Sequence, residues 1–77
     1  MSVSAVSTTD TQYTTLLDQV STTLAYIGEA PPNSSTSAPV WRIRRLDTTS
    51  GVQLYYADSN TAFDNIWDNR ASLTYTP

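Results

Sequence analysis

The clearest alternation of apolar and polar residues lies in residues 40–47, Val-Trp-Arg-Ile-Arg-Arg-Leu-Asp. Trp41 and Ile43 point to one side of an extended chain, and Arg42 and Arg44 point to the other. This period of two is typical of a β-strand with one buried face. The pattern therefore predicts a strand at this position.

The phase of the alternation changes near the end of this strand, where Arg45 and Leu46 follow Arg44. A β-bulge near Arg44 and Arg45 would return Leu46 to the apolar side, and we expect one there. Residues 47–51, Asp-Thr-Thr-Ser-Gly, predict a turn in which Gly51 supplies a positive φ.

A second strand is predicted directly after this turn. Val52, Leu54 and Tyr56 alternate there with Gln53 and Tyr55. Two alternating segments joined by a short turn favour an antiparallel β-hairpin.

Two periods compete between residues 13 and 27. A helical stripe fits Tyr13, Leu16, Leu17, Val20 and Leu24, whereas an alternating strand fits Val20, Thr22, Leu24 and Tyr26. Threonine pairs at 14–15 and 22–23 weaken a helix, because β-branched side chains lose freedom there. We predict a strand from Val20 to Gly28, and residues 12–19 stay open between helix and strand.

Residues 29–39 contain three prolines and several serines and threonines, a composition typical of a loop. The simpler interpretation is a connector, and the alternative is a contact loop for another component of an assembly.

A short helix is predicted over residues 61–69. Phe63, Ile66 and Trp67 recur there at i, i+3 and i+4, which places them on one side of a helix. Thr61 has the residue type of an N-cap.

These elements predict a mainly β fold, a small antiparallel sheet or sandwich of about four strands with one short helix. A last strand is expected at residues 71–76, and a flexible N-terminal arm at residues 1–11 would precede a single domain at residues 12–77. The predicted core consists of Tyr26, Trp41, Ile43, Leu54, Tyr56, Phe63, Ile66, Trp67 and Leu73.

Composition limits how this fold can be stabilised. The chain has 77 residues, no Cys and no His. A domain of this size buries only about 60% of its unfolded surface and is marginal without disulfides, metal or association. Association with other chains, including copies of itself, is therefore expected.

Charge and residue types also narrow the classes of function. Seven acids against four arginines give a net charge of −3, which disfavours a nucleic-acid partner. No apolar run has the roughly 20 residues of a membrane span. Without His, Cys or Lys, a Ser or Thr nucleophile has no base. Glu29 with an Asp could serve glycoside hydrolysis, but a domain this small leaves little room for a cleft. We predict no enzyme activity and no cofactor.

Four oxygen-bearing residues near the end of the chain are candidate calcium ligands, namely Asp58, Asn60, Asp64 and Asp68. Their spacing lacks the glycine at position six and the glutamate at position twelve of an EF-hand loop. We therefore predict no metal site.

All four arginines are candidate subunit contacts. Arg70 is expected to lie over Trp67 or to pair with a carboxylate such as Asp58. The other three, Arg42, Arg44 and Arg45, either discourage edge pairing of the strand or face an acidic neighbour.

Four segments together resemble a group of small virion-associated proteins of tailed bacteriophages. They are Tyr-Ile-Gly-Glu-Ala-Pro-Pro at 26–32, Ser-Ala-Pro-Val-Trp-Arg-Ile-Arg-Arg-Leu at 37–46, Tyr-Ala-Asp at 56–58, and Phe-Asp-Asn-Ile-Trp-Asp-Asn-Arg-Ala-Ser-Leu-Thr-Tyr at 63–75. The last segment is the most specific. The group usually has Ala-Asp-Gly where this chain has Ala57-Asp58-Ser59.

The resemblance implies a structural protein of the virion, present in many copies on the capsid surface or in the tail and fibre region. Its partners would be other virion proteins and copies of itself, as a homo-oligomer within the particle. The alternative is a carbohydrate- or receptor-binding module of the tail, with Tyr13, Tyr55 and Tyr75 as its aromatic platform. A host-directed inhibitor made after infection is a third hypothesis.

Overall fold

The computed structural model describes residues 12–76, and the predicted arm at residues 1–11 lies outside them. The described chain is mainly β. An antiparallel sheet has the strand order β1-β2-β3-β4, and a fifth short strand pairs with the start of β3. The strands are β1 (Thr14–Gln19), β2 (Leu24–Ala30), β3 (Pro39–Asp47), β4 (Gln53–Tyr56) and β5 (Asn65–Ile66).

The first hairpin resolves the segment with two competing periods. Residues 14–19 form a strand, and residues 20–23 form the turn that leads into β2. The predicted strand from Val20 to Gly28 is therefore wrong at both ends. In the turn, the amide of Val20 donates to the carbonyl of Leu24 at 2.9 Å, and the strand then continues past Gly28 to Ala30.

The second hairpin is confirmed. Strands β3 and β4 pair antiparallel, and Gly51 has a φ of 98° in the turn between them. The amide of Thr49 donates to the Asp47 carboxylate at 2.9 Å and, with further hydrogen bonding to Thr49, lowers the pKa of this carboxyl.

The predicted bulge in β3 is wrong. Residues 44–47 pair with residues 53–56 without a shift, so Leu46 lies opposite Leu54, on the face away from Trp41. Arg45 takes the Trp41 side instead. Its guanidinium lies 5.6 Å from the ring centre of Tyr55 and 5.2 Å from that of Tyr75. These rings favour a cation on the edge of an otherwise apolar face.

The short helix begins at Trp67 rather than at Thr61. It is a 3-10 helix spanning Trp67–Ser72, and the residues before it are irregular or belong to β5. Pairing of β5 with β3 keeps this part of the chain extended, so Phe63 and Trp67 do not share a helical stripe. The predicted last strand is reduced to a single bridge between Ala57 and Tyr75.

The core lies on one face of the sheet and is dominated by aromatic rings. The indoles of Trp41 and Trp67 lie 5.8 Å apart, and the rings of Tyr26 and Tyr75 lie 5.7 Å apart. The buried cluster is completed by small or aliphatic side chains. Its members are Tyr26, Ala30, Trp41, Ile43, Ala57, Trp67 and Tyr75.

Gly28 allows the segment that carries Trp67 to pack closely on the sheet. A Cβ atom at this position would lie 2.5 Å from Cε3 of Trp67 and 3.1 Å from Cε3 of Trp41. Since carbon atoms in contact prefer about 3.5–4.0 Å, only glycine leaves room for the Trp67 ring. This contact explains why a glycine stands inside β2 instead of ending it.

Several predicted core residues lie elsewhere. Leu54 is 43% exposed on the opposite face and is not part of the core. Tyr56, Phe63 and Ile66 are half-buried and lie outside the buried cluster, whereas Leu73 packs against that cluster while partly exposed. The prediction places Leu54 and Tyr56 in the core because the alternation in β4 fits either face, and the strand register selects Tyr55 and Ala57 instead.

The segment that covers the core is held by polar contacts. Arg70 lies 4.6 Å from the Trp67 ring centre, and its Nε donates to the Asp18 carboxylate at 2.9 Å. The predicted stacking on Trp67 is therefore confirmed, and Asp18 rather than Asp58 is the acidic partner. The loop before β3 contacts this segment as well, since its Thr36 carbonyl accepts from the Asp68 amide at 3.1 Å. The neighbouring Ser35 carbonyl accepts from the Trp41 indole at 2.9 Å.

Candidate functional site

The face of the sheet opposite the core is the main accessible surface formed by regular strands. We call it the open face, and the strand registers divide it into three rows that run across the sheet. The apolar row is Gln19, Ala25, Leu46 and Leu54; the middle row is Leu17, Ile27, Arg44 and Tyr56; and the charged row is Thr15, Glu29 and Arg42.

Two of the three rows carry large apolar side chains that contact water. Leu17 is 67% exposed and Leu54 is 43% exposed. Leu17 pairs across strands with Ile27, and Leu54 pairs with Leu46, so each of these two rows carries a cross-strand pair of apolar side chains. Exposed apolar side chains that are contiguous are typical of an interaction surface, whereas single ones are not.

A compact ion cluster occupies the other end of the open face. The Glu29 carboxylate accepts from Nη2 of Arg42 at 2.6 Å and lies 3.5 Å from Nη2 of Arg44. All three side chains are about one-fifth exposed, and the hydrogen bond to Glu29 raises the pKa of Arg42. Two guanidiniums share one carboxylate, so this end of the face carries an excess of positive charge in a chain with net charge −3.

Aromatic rings border the ion cluster. Tyr13 stacks on Phe63 with ring centres 5.2 Å apart, and the Arg42 guanidinium lies 4.7 Å from the centre of the Phe63 ring. Arg42 and Arg44 each lie 5.9 Å from the centre of the Tyr56 ring. Tyr and Arg are the residue types most enriched at the energetic centres of protein interfaces, together with Trp.

The structure divides the four predicted contact arginines between the two faces. Arg42 and Arg44 lie on the open face, whereas Arg45 and Arg70 lie over aromatic rings on the core side. The predicted aromatic platform is divided in the same way. Tyr75 is 8% exposed and belongs to the core.

Of the two other platform residues, Tyr55 is half-buried on the core side and its hydroxyl donates to Gln53. Tyr13 is 42% exposed and lies beside the charged row. The three tyrosines therefore do not form one platform.

The sequence prediction misses Leu17, Ile27 and Glu29 as members of a surface. The signal for the first two is the pair of adjacent large apolar residues in each strand, Leu16 with Leu17 and Tyr26 with Ile27. Adjacent residues of a strand point to opposite faces, so such pairs indicate apolar side chains on both.

The candidate calcium residues are divided between different elements: Asp58 and Asn60 lie in a turn, Asp64 precedes β5 and Asp68 lies in the 3-10 helix. Asp58 and Ser59 both have a φ of 59°, and Asn60 accepts from the amide of Ala62 at 2.9 Å. No group of three metal-ligating side chains and no pocket occurs within residues 12–76. In the same part of the chain, no helix combines the length and apolar character needed to cross a membrane.

The arrangement on the open face is suited to association. The apolar side chains of the apolar row and the middle row lose contact with water when another surface covers them. The guanidiniums and the carboxylate supply directional contacts at one end of the face. Comparison with known proteins gives no relative: no family model, no curated protein and no solved structure matches the chain.

Proposed function

We propose that the chain is a non-enzymatic structural protein of a tailed-bacteriophage particle, present in many copies on the capsid surface or in the tail and fibre region. The resemblance of residues 63–75 to small phage proteins supports the virion. The observation that carries the structural role is the open face, where Leu17 and Leu54 contact water and the Glu29 ion cluster lies at the opposite end from Leu54.

The small size of the domain is a physical reason for covering the open face. The chain has no cysteine and therefore no disulfide, and its core occupies one face of a single sheet. Covering the open face adds burial that the isolated domain lacks, at roughly 25 cal/mol for each Å² of apolar surface. A lattice subunit obtains its stability in this way, because binding to the native state raises the free energy of unfolding.

The test is mass spectrometry of purified, salt-washed particles, with the copy number measured against the major capsid protein. Hundreds of copies for each particle would support a capsid or tail-tube location, and a few tens or fewer would support the neck, tail tip or fibres. Absence from the particle would refute the proposal and favour the host-directed hypothesis.

A receptor- or carbohydrate-binding role in the tail is the second candidate, and the Tyr13 and Phe63 stack favours it. Tyr13 is 42% exposed, and Arg42 and Glu29 lie beside the stack as hydrogen-bonding groups. Sugars bind by stacking on aromatic rings with polar groups nearby. Binding of the purified protein to host-cell envelopes that is lost in Tyr13→Ala would support this role, and equal binding by the variant would refute it.

A further inference from the structure

The geometry points to a second copy of this chain as the occupant of the open face. We propose that two sheets stack face to face about a two-fold axis that runs along the strands, between β2 and β3. The inference rests on the proposed function, for which it names the partner.

The apolar residues of the open face make a sandwich the natural product. Two sheets that pack by their apolar faces lie about 10 Å apart with strand directions within about 30° of each other. In this pair the core face of each sheet would point outward, where the segment that carries Trp67 and Tyr75 already covers it. The new core between the sheets would consist of Leu17, Ile27, Leu46 and Leu54 from each copy, around Ala25, which is only 6% exposed in the single chain.

Charge decides the direction of the two-fold axis. With a two-fold axis perpendicular to the strands, each strand would lie over the same strand of the partner subunit, and the order of the three rows would be reversed. Arg44 in the middle row would then face Arg44 of the partner subunit, and the apolar row would face the charged row. Like charges buried in contact strongly disfavour that arrangement.

An axis along the strands keeps like rows together and reverses the order of the strands. Strand β2 then lies over β3 of the other copy, so Glu29 faces Arg42 of the partner subunit. Ala25 likewise faces Leu46 of the partner subunit. The charged row is therefore complementary to itself, as a two-fold interface requires of its charged groups. In the other two rows, Leu54 faces Gln19 of the partner subunit and Ile27 faces Arg44 of the partner subunit.

The surplus of arginine on each face adds to this complementarity. Each Glu29 lies beside two arginines of its own chain, at 2.6 and 3.5 Å. The Arg42 and Arg44 side chains are 25% and 23% exposed, so part of each can contact a facing copy. A guanidinium has five N–H donors, and a second carboxylate can therefore add to the contacts with Glu29.

The size of the face sets the strength of the dimer. Four strands and three rows cover about 19 by 20 Å, a projected area of about 380 Å², whereas a standard interface buries about 800 Å² of accessible surface on each partner. We therefore expect an isolated dimer with a Kd in the micromolar range, which the high local concentration of a particle would strengthen.

The first experiment measures the mass of the purified protein by sedimentation velocity between about 1 and 500 µM, a range that brackets the expected Kd. Leu54→Asp places a carboxylate in the new core and is expected to weaken dimerisation at least about tenfold. Val20→Asp is the matched control, because Val20 is 56% exposed but lies in the β1–β2 turn and belongs to none of the three rows. Near-UV circular dichroism of the buried indoles shows that both variants fold.

A charge-swap experiment tests the predicted axis. Glu29→Arg alone puts Arg opposite Arg at both symmetric positions, and Arg42→Glu alone puts Glu opposite Glu, so each variant should be monomeric. Mixing the two variants restores opposite charges at both positions, and native mass spectrometry should then detect a dimer that contains one chain of each. A charge pair within one chain would give no such rescue.

Three results would overturn the inference. They are a wild-type protein that stays monomeric over the whole concentration range, equal dimerisation of Leu54→Asp and Val20→Asp, and a mixture of charge variants without a mixed dimer. A monomeric protein that is nevertheless abundant in particles would refute only the second copy as partner, since another virion protein would then cover the face. Absence from particles refutes the proposed function whatever the mass in solution.

Discussion

Gly28→Ala tests the closest contact in the core. The added Cβ would lie 2.5 Å from Cε3 and 2.6 Å from Cζ3 of Trp67, and 3.1 Å from Cε3 of Trp41. To reach an ordinary separation of about 3.5 Å, the Trp67 ring would have to move by about 1 Å. Two hydrogen bonds oppose that movement: the Asp68 amide donates to the Thr36 carbonyl at 3.1 Å, and Nη1 of Arg70 donates to the Trp67 carbonyl at 3.1 Å.

The expected loss of stability follows from two opposing effects. Overpacking of a well-packed core costs about 1–3 kcal/mol. Replacing glycine by alanine restricts the unfolded chain and returns about 0.4–1 kcal/mol. The difference lies between about 0 and 2.6 kcal/mol. Because the Trp67 ring must move by about 1 Å, we expect the free energy of unfolding to fall by about 1–2 kcal/mol, a large fraction of the few kcal/mol available to a domain of this size.

Urea unfolding followed by the fluorescence of the two tryptophans measures this change, since both indoles are buried. With a slope near 1 kcal/mol/M, the midpoint should fall by about 1–2 M. Trp67→Leu removes both close ring atoms, so Gly28→Ala should cost much less in that background. A cost below about 0.5 kcal/mol in the wild-type background, or an equal cost in both, would show that the contact does not restrict position 28.

Three further changes test other parts of the structure. Ser59→Gly should raise the free energy of unfolding by about 0.5 kcal/mol in urea unfolding, because Ser59 has a φ of 59°; Ser59→Ala should give no gain, and an equal gain in both variants would contradict this explanation. Burial raises the pKa of the Tyr75 hydroxyl. The contribution of the neutral hydroxyl to the free energy of unfolding is therefore complete below about pH 10 and falls by up to about 1.4 kcal/mol per pH unit above it. Tyr75→Phe should flatten this alkaline decline in stability, and an unchanged slope would refute the assignment to Tyr75. Arg70→Gln should lower the free energy of unfolding by about 1 kcal/mol, because it removes the contact with Trp67 and the ion pair with Asp18. Asp18→Asn removes only the ion pair and should lower it by only a few tenths of a kcal/mol. Equal losses in urea unfolding would assign the whole effect to the ion pair.

Strand positions with unequal faces were predictable from the sequence. Trp41 and Ile43 alternate with arginines, so the pattern identifies both the strand and its buried face, and Gly51 marks the following turn. In β4 the pattern does not identify the buried face, because Leu54 and Tyr55 lie on opposite faces and both have large side chains with extensive apolar surface. Only pairing with β3 assigns Leu54 to the open face and Tyr55 to the side of the core.

The errors in the second half of the chain have a similar origin. Phe63, Ile66 and Trp67 fit a helical spacing over less than two turns, too short a segment for periodicity alone to decide. Pairing of Asn65 and Ile66 with β3 is a contact between residues distant in the sequence, and it overrides the local preference. The candidate surface was missed for the same reason, since its three rows exist only once the strand registers are known.

The four arginines have a shared environment that bears on the absence of lysine. Each guanidinium lies within 6 Å of an aromatic ring centre: Arg42 near Phe63, Arg44 near Tyr56, Arg45 near Tyr55 and Tyr75, and Arg70 near Trp67. A planar guanidinium stacks on a ring in a way that a lysine ammonium does not.

One consequence concerns covalent chemistry. All basic side chains of the chain are arginines, so reagents and enzymes that modify lysine amines find no target side chain. Acetylation and amine cross-linking will therefore leave these contacts untouched, whereas a dicarbonyl reagent specific for arginine will report on the rings that shield them.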